Sequence, residues 1–374
     1  MKHNIVENKC HSCEYLFESP KYQSELKLVT SDCKKSKLKL DIFQCPQCGL
    51  VQKKIDEFFL EESKRIYDEY EVYHQADGKD QKIYLSNNDG DRSQLIYQSL
   101  ENNIFSDEGD LLEIGCGNGK FLQNFQKSNS YWNLWGSELN DSNEELINGL
   151  PNTTFYSGDL EDLDKKFDFI VMIHVLEHII NPRDFINNLK SKLKEKGKIF
   201  IQVPNLEASF FDILIADHCS HFTFDSIKIM FEEEGFEIIS SEEVINKEIS
   251  LLVQLSKRDS KIDIKKDNLN PLTFKIGERI NWLEKFKDKA KSNSEESIIF
   301  GSSISATWMA SELNYNFRFY VDEDENKINK IHEGKHIKSI EALKSGDVLI
   351  LPFSSKTAER LMAKLGNKFN YISS

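Results

Sequence analysis

Positions 111–120 read Leu111-Leu112-Glu113-Ile114-Gly115-Cys116-Gly117-Asn118-Gly119-Lys120. An apolar strand runs into a turn with glycine at every second position, and a helix follows. Glycines so placed permit positive φ and close approach of a ligand to the backbone at a helix N-terminus. A dinucleotide-binding loop would read Gly-x-Gly-x-x-Gly; this one reads Glu-x-Gly-x-Gly-x-Gly.

Outward from this loop, short apolar strands at 111–114, 132–136, 154–156, 169–173, 198–203, 236–241 and 250–255 alternate with helical stretches. Such alternation means a mostly parallel sheet covered on both faces, an α/β fold. Four segments divide the chain. Residues 1–75 hold paired cysteines and a tyrosine-rich stretch, and 76–257 hold the α/β core. Residues 258–295 are charge-rich, with Pro271 near the first turn of a helix expected from 272 to about 291. Residues 296–374 repeat the alternation on a small scale, with strands at 298–300, 317–321 and 348–351.

The 374 residues carry 48 Lys and Arg against 62 Asp and Glu, a net charge of −14. That balance excludes a duplex-binding protein, whose phosphate contacts need a basic face. No apolar run reaches the roughly 18–20 residues that span a bilayer. The most apolar stretch, 169–180, is broken by His174, Glu177 and His178. The N-terminal residues lead into no long apolar segment, so a cytoplasmic protein with neither nucleic acid nor membrane as partner is expected.

Four of the seven cysteines lie in Cys10-His11-Ser12-Cys13 and Cys45-Pro46-Gln47-Cys48-Gly49. A gap of two residues lets both thiolates of a pair face one ion, and two such pairs complete a tetrahedral Zn(Cys)₄ site. One structural zinc per chain is expected on Cys10, Cys13, Cys45 and Cys48. Its closed shell leaves no position for chemistry. The stretch between the pairs exceeds the spacing of common zinc ribbons, and an inserted hairpin would account for it. Cys33 and His11 are not expected to bind metal.

The glycine loop resembles motif I of class I S-adenosylmethionine (SAM) methyltransferases. Trp135-Gly136-Ser137-Glu138 ends the second strand with an acid suited to two ribose hydroxyls. Ser157-Gly158-Asp159-Leu160 follows the third strand, where such enzymes commonly bind the adenine amino group. His174-Val175-Leu176-Glu177-His178 resembles the Leu-Glu-His segment after their fourth strand. The resemblance implies a class I SAM-methyltransferase Rossmann-like core. Its cofactor-binding residues would be Glu113, Gly115, Gly117, Gly119, Glu138, Asp159, Leu160 and His174.

Taken whole, a four-cysteine zinc domain, a SAM core and a small Rossmann-like tail resemble the sugar C-methyltransferases of nucleotide-deoxysugar pathways. In that family a Glu-His pair after the fifth strand supplies the catalytic His. Here the run is Ile215-Ala216-Asp217-His218-Cys219-Ser220-His221-Phe222. His218 matches the catalytic His and Asp217 the acid before it. His221 falls where the family has Tyr, and Ile215 replaces another family Tyr. Tyr70-Glu71-Val72-Tyr73-His74-Gln75 is similar to the family's tyrosine segment over the cofactor, with Tyr73 the better candidate. Phe300-Gly301-Ser302-Ser303 and Val321-Asp322 in the tail are where the family helps bind a nucleotide-sugar; a structural or dimerising role, in a monomer or homodimer, is the alternative.

The chemistry suits these residues. An imidazole with a pKa of roughly 6.5 is a base near neutrality. Methyl transfer from a sulfonium needs a nucleophile held at near-attack distance. Removing a proton beside a ketone also needs a donor for the enolate oxygen, here His221, Tyr73 or Asn205. Three rival readings stay open. The same base could serve O-methylation of a sugar or surface-glycan precursor. The chain could be a non-catalytic zinc- and SAM-binding module. The two histidines could cap a helix starting near Phe224.

Overall fold

The computed structural model describes residues 9–17, 21–69, 79–83, 90–103, 106–256 and 275–373. Between the cysteine pairs lies the expected hairpin: β1 (Lys21–Val29) and β2 (Lys35–Gln44) pair antiparallel. Alternate residues Leu38, Leu40 and Ile42 of β2 are buried, the period of a strand with one covered face. β3 (Val51–Lys53) adds to β2. Helix α1 (Glu57–Asp68) starts where the Asp56 carboxylate accepts the Phe59 amide, and it buries Phe59 and Ile66 in the cluster that covers this sheet. The short strands β4 (Lys82–Ile83) and β5 (Gly90–Asp91) lead into α2 (Arg92–Leu100).

The core follows as β6 (Asp110–Ile114), α3 (Lys120–Ser128), β7 (Asn133–Ser137), α4 (Glu144–Asn148), β8 (Thr153–Tyr156), β9 (Phe167–Ile173), α5 (Pro182–Lys192), β10 (Leu193–Pro204), β11 (Ser220–His221), α6 (Phe224–Glu233), β12 (Phe236–Glu242) and β13 (Glu248–Leu255). All seven strands read from the sequence are present, and β10 starts earlier than expected, at Leu193. The sheet order is β12-β13-β10-β9-β6-β7-β8. Neighbours from β8 to β10 are parallel, and β13 runs antiparallel to β10 and β12. Leu112 and Ile114 of β6 point into one apolar cluster and Leu111 into another, so both faces are covered. From β6 the chain winds outward to β7 and β8, then crosses back to β9. The loops after β6 and β9 therefore leave in opposite directions, which opens a crevice at the carboxyl edge.

β11 lies outside that sheet. Ser220 pairs with Gln52 and His221 with Val51, so it is the fourth strand of the N-terminal sheet, β1-β2-β3-β11. A shared sheet thus crosses the expected division at 75/76.

Helix α7 (Ile276–Lys291) follows an extended Lys275, and the start expected at 272 lies outside the described residues. The tail adds β14 (Ser297–Phe300), α8 (Ile304–Glu312), β15 (Tyr320–Val321), β16 (Ile331–His332), β17 (Lys335–Lys338), β18 (Val348–Leu351), α9 (Ser355–Leu365) and β19 (Asn370–Ser373), in the order β16-β17-β15-β14-β18-β19. The strand expected at 317–321 is reduced to Tyr320–Val321. α7 buries Ile276, Ile280, Leu283 and Phe286 at helical spacing, in one cluster with Leu26 of β1 and Trp308 of α8. The helix of the segment read as linker and helix is therefore a core element, packed between β1 and α8, while residues 258–274 lie outside the described residues.

Candidate active site

The glycine loop has the backbone its composition suggested: φ is +70° at Gly115, +51° at Gly117 and +71° at Gly119. A side chain at Gly115 would strike Val175, whose Cγ2 would lie 2.5 Å from the added Cβ. Glu138, at the end of β7, accepts the Gly117 amide on Oε1 at 2.6 Å and the Leu139 amide on Oε2 at 3.3 Å. Glu113 is buried beneath the loop; burial, with Glu138 nearby, pushes its carboxyl well above the usual range. Its Oε2 has no hydrogen-bond partner among the described residues. Asp159 caps the turn Leu160–Asp162 by accepting the Glu161 amide at 3.1 Å. All of these except Gly119 line a cleft of about 1800 Å³, together with Leu160, His174, His178, Asp212 and His218.

His174 follows β9 in a left-handed conformation, φ +54°. Its Nδ1 lies 2.9 Å from Glu177 and its Nε2 3.2 Å from Glu248. Arg92, at the start of α2, contacts the same ring and reaches Gln202 at 3.1 Å and Glu248 at 2.5 Å. Burial and Arg92 disfavour a proton on His174, but Glu248 and Glu177 outweigh them and its pKa rises to about 9.

Beyond β10 the one-turn helix Phe210–Leu214 brings Asp212 under the two histidines. Its Oδ1 is 2.7 Å from Nδ1 of His218, and its Oδ2 is 2.7 Å from Nδ1 of His221. The carboxylate expected on His218, that of Asp217, points elsewhere. It accepts the Ser31 amide at 2.9 Å and the Ser31 hydroxyl at 2.6 Å, and lies 3.3 Å from Nδ1 of His178. Burial disfavours a charged His178, but Asp217 and Glu177 outweigh it and the pKa rises. The His178 and His218 rings meet edge to face, their centroids 4.6 Å apart.

Residues 89–241 match the model of a family described as a methyltransferase domain. The protein is a SAM-dependent methyltransferase. It is 28% identical over 193 residues to the ubiquinone biosynthesis O-methyltransferase of Rickettsia prowazekii, covering 46% of this chain and 73% of the relative. It is 29% identical over 107 residues to the malonyl-(acyl-carrier protein) O-methyltransferase of Calditerrivibrio nitroreducens, covering 28% of this chain and 42% of that one. A solved SAM-dependent methyltransferase of Clostridium acetobutylicum is 15% identical, covers 54% of this chain and all but 2% of its own, 98%, with a TM-score of 0.35. The family match leaves β1, β2 and β3 of the cysteine-bearing sheet and the tail outside it.

The glycine loop of the methyltransferase fits SAM: left-handed glycines open the backbone, and Glu138 stands at the end of the adjacent strand. Bound there, SAM would supply an electrophilic methyl group. The histidine expectations need correction. His221 is fully buried and absent from the cleft wall, between Asp212 and Lys53, so it is not a substrate contact. Asp217 holds His178, not His218. Asn205 uses its Oδ1 to accept the Glu207 amide and does not line the cleft. Tyr73 and the rest of 70–75 lie outside the described residues. The helix-capping alternative for the histidine pair also fails, because Thr223 and Ser226 form the cap of α6.

In this methyltransferase the four cysteines of the N-terminal pairs converge, buried, with all four Sγ atoms within 4.8 Å of one another. Cys10 and Cys48 are 3.5 Å apart, as are Cys13 and Cys45. A tetrahedral ion at roughly 2.3 Å from each sulfur would need sulfurs about 3.8 Å apart, so the cluster is compatible with zinc. His11 Nδ1 lies 2.8 Å from the Ser220 hydroxyl, at the start of β11.

Residues missed in the sequence are Asp212, Arg92, Gln202 and Glu248. The one available signal was Asp212 itself, a single acid inside the apolar run Phe210–Leu214. The cleft also has walls from the ends of the chain: Ser31, Cys33 and Tyr67 on one side, Ser303, Lys327, Phe353, Lys356 and Arg360 on the other.

Proposed function

We propose that this methyltransferase adds a methyl group to carbon of a nucleotide-linked keto-sugar, with His218 as the base. The observation that carries the reading is His218: its Nδ1 is taken by Asp212 while the ring lines the cleft. The neutral ring uses Nε2 to take a proton from the carbon beside the ketone. The electron pair left behind is shared with the ketone oxygen; with SAM bound, that carbon would form the new C–C bond as the S–CH₃ bond breaks and S-adenosylhomocysteine leaves. His178, held toward its charged form by Asp217, is the donor for that oxygen. Its place on the cleft wall beside His218 supports this role.

The nucleotide is supported by charge. Lys247, Lys327, Lys356 and Arg360 line the cleft in a chain of net charge −14, and among the described residues Lys356 and Arg360 have no ion-pair partner. Such a group suits a diphosphate. We read the four cysteines as a structural zinc site, because their shell is closed and buried.

A second reading is O-methylation with the same base. It is favoured by the relatives, which are named as O-methyltransferases of ubiquinone biosynthesis and of malonyl-(acyl-carrier protein). A hydroxyl needs no adjacent ketone. The test is incubation with SAM and a panel of nucleotide-linked keto-sugars, reading the mass and position of the added methyl. With S-adenosylhomocysteine in place of SAM, solvent deuterium should enter the substrate carbon. A product methylated on oxygen, with no exchange, moves the assignment to the second reading.

A further inference from the structure

A carboxylate only accepts hydrogen bonds. Both imidazoles that touch Asp212 must therefore present N–H at Nδ1. For a neutral ring this fixes the lone pair on Nε2. His221 shows the same order one step further back: its Nε2 lies 3.4 Å from Nζ of Lys53, which also donates to the Ile215 carbonyl. Lys53 stands on β3, the strand that pairs with β11, and is buried with Asp212, His218 and His221. A continuous buried chain, Lys53–His221–Asp212–His218, thus runs from the N-terminal sheet to the cleft wall.

We propose that Asp212 is the positioning residue for His218, holding the Nδ1–H tautomer so that Nε2 is the basic nitrogen, and that His221 and Lys53 fix the carboxylate from behind. The proposal rests on the reading of His218 as the base. Asp217, next to His218 in sequence, cannot do this, because its two oxygens are engaged by Ser31 and His178. Burial alone would raise the Asp212 carboxyl, but His218 and His221 outweigh it and hold it well below the usual range, so the proton stays on the rings. Burial and Lys53 likewise bring His221 down to about 4, which keeps it neutral with its Nε2 lone pair turned to the ammonium. A carboxylate so placed orients an imidazole and stabilises the imidazolium formed as it takes a proton.

The charged and titratable groups around this chain are Lys53 from β3, Glu177 and His178 from the turn after β9, and Asp217 and Cys219 from the loop before β11. The test uses the full chain labelled with ¹⁵N-histidine and saturated with S-adenosylhomocysteine, with His218 assigned from the His218→Gln spectrum. The expected result is a hydrogen on Nδ1 of His218 and a pyridine-type Nε2. In Asp212→Asn the amide can turn its NH₂ to the ring, the tautomer should invert, and turnover on the accepted nucleotide-sugar should fall by about 10²–10⁴-fold. The acid limb of its pH–rate profile should shift as well, which a purely structural change would not produce. Wild-type protein with the hydrogen on Nε2 overturns the proposal even if Asp212→Asn does not fold. So does an Asp212→Asn enzyme with unchanged tautomer and turnover while His218→Gln is inactive. Activity retained in His218→Gln instead overturns the base reading itself.

Discussion

The carboxylate of Glu138 closes onto the amide of Gly117 at 2.6 Å, so the acid that ends β7 already sits on the loop that follows β6. Burial pushes its pKa up, against the pull of the Gly117 and Leu139 amides. Ribose hydroxyls offered by SAM would complete its acceptor capacity. Glu138→Ala should weaken SAM binding by about one to two decades, the worth of roughly 1.5–3 kcal/mol for hydrogen bonds to a charged group. Calorimetry giving the wild-type affinity would refute this placement of the ribose.

Metal analysis should find one zinc per chain. Cys45→Ser with Cys48→Ser should lose it and lower the melting temperature, because such ions contribute folding free energy directly. The loss should reach β11 through β3. Amide exchange at Gln52 and His221 should quicken more than exchange at Leu112 in the core strand β6. Full zinc content in the double variant would remove the assignment.

The half-buried His174 makes stability depend on pH. Its pKa is raised to about 9, so its contribution is fully present below the unfolded value of roughly 6.5 and lost as pH climbs through about 9. His221 acts with the opposite sign. Brought down to about 4, it favours the fold above roughly 6.5 and withdraws that support as pH falls toward 4. Denaturant midpoints across pH should therefore decline on both sides of neutrality, and His174→Gln should flatten the alkaline side only. An unchanged alkaline decline in that variant would show that another group carries it.

Asp217→Asn should act through His178. Loss of the carboxylate removes the partner that keeps the imidazole charged, so the His178 pKa should fall, as followed by NMR titration. Turnover should drop on the order of tenfold, the scale of one weakened hydrogen bond in a transition state, while SAM affinity holds. The outcome that contradicts the donor role is a lowered His178 pKa with wild-type turnover.

Lys356→Ala with Arg360→Ala should raise KM for a nucleotide-sugar by at least about tenfold, since charge-assisted contacts are worth roughly 1.5–3 kcal/mol each. SAM affinity should be untouched, and added salt should mimic the variant. Equal KM in variant and wild type would take the diphosphate away from this wall.

The sequence was legible where its signals are local. Alternating glycines, apolar strands and two cysteine pairs each mark a feature within a few residues, and all are found in place. Asp212 was not legible, because the acid adjacent to His218 was a ready partner and only the turn of the chain sends Asp217 toward Ser31. β11 was unreadable for a different reason: two residues show no period, and their partner is Val51–Gln52, far away in the chain. Arg92 carries no signal of its own in the sequence, and its role depends on Gln202 and Glu248, which the sheet brings to it. β17 carries Lys335, His336 and Lys338 around a single buried Ile337, a pattern too polar to announce a strand.

The pairing of Ser220 and His221 with Gln52 and Val51 also bears on how such a chain can be recombined. A cut near residue 75 looks like a natural seam, yet it would strand one edge of the cysteine-bearing sheet and remove Lys53 from behind His221. A chimera that exchanges the N-terminal fifth between related enzymes must therefore carry the 212–223 loop along with it. The two stretches are separate in the chain and inseparable as a transplantable unit.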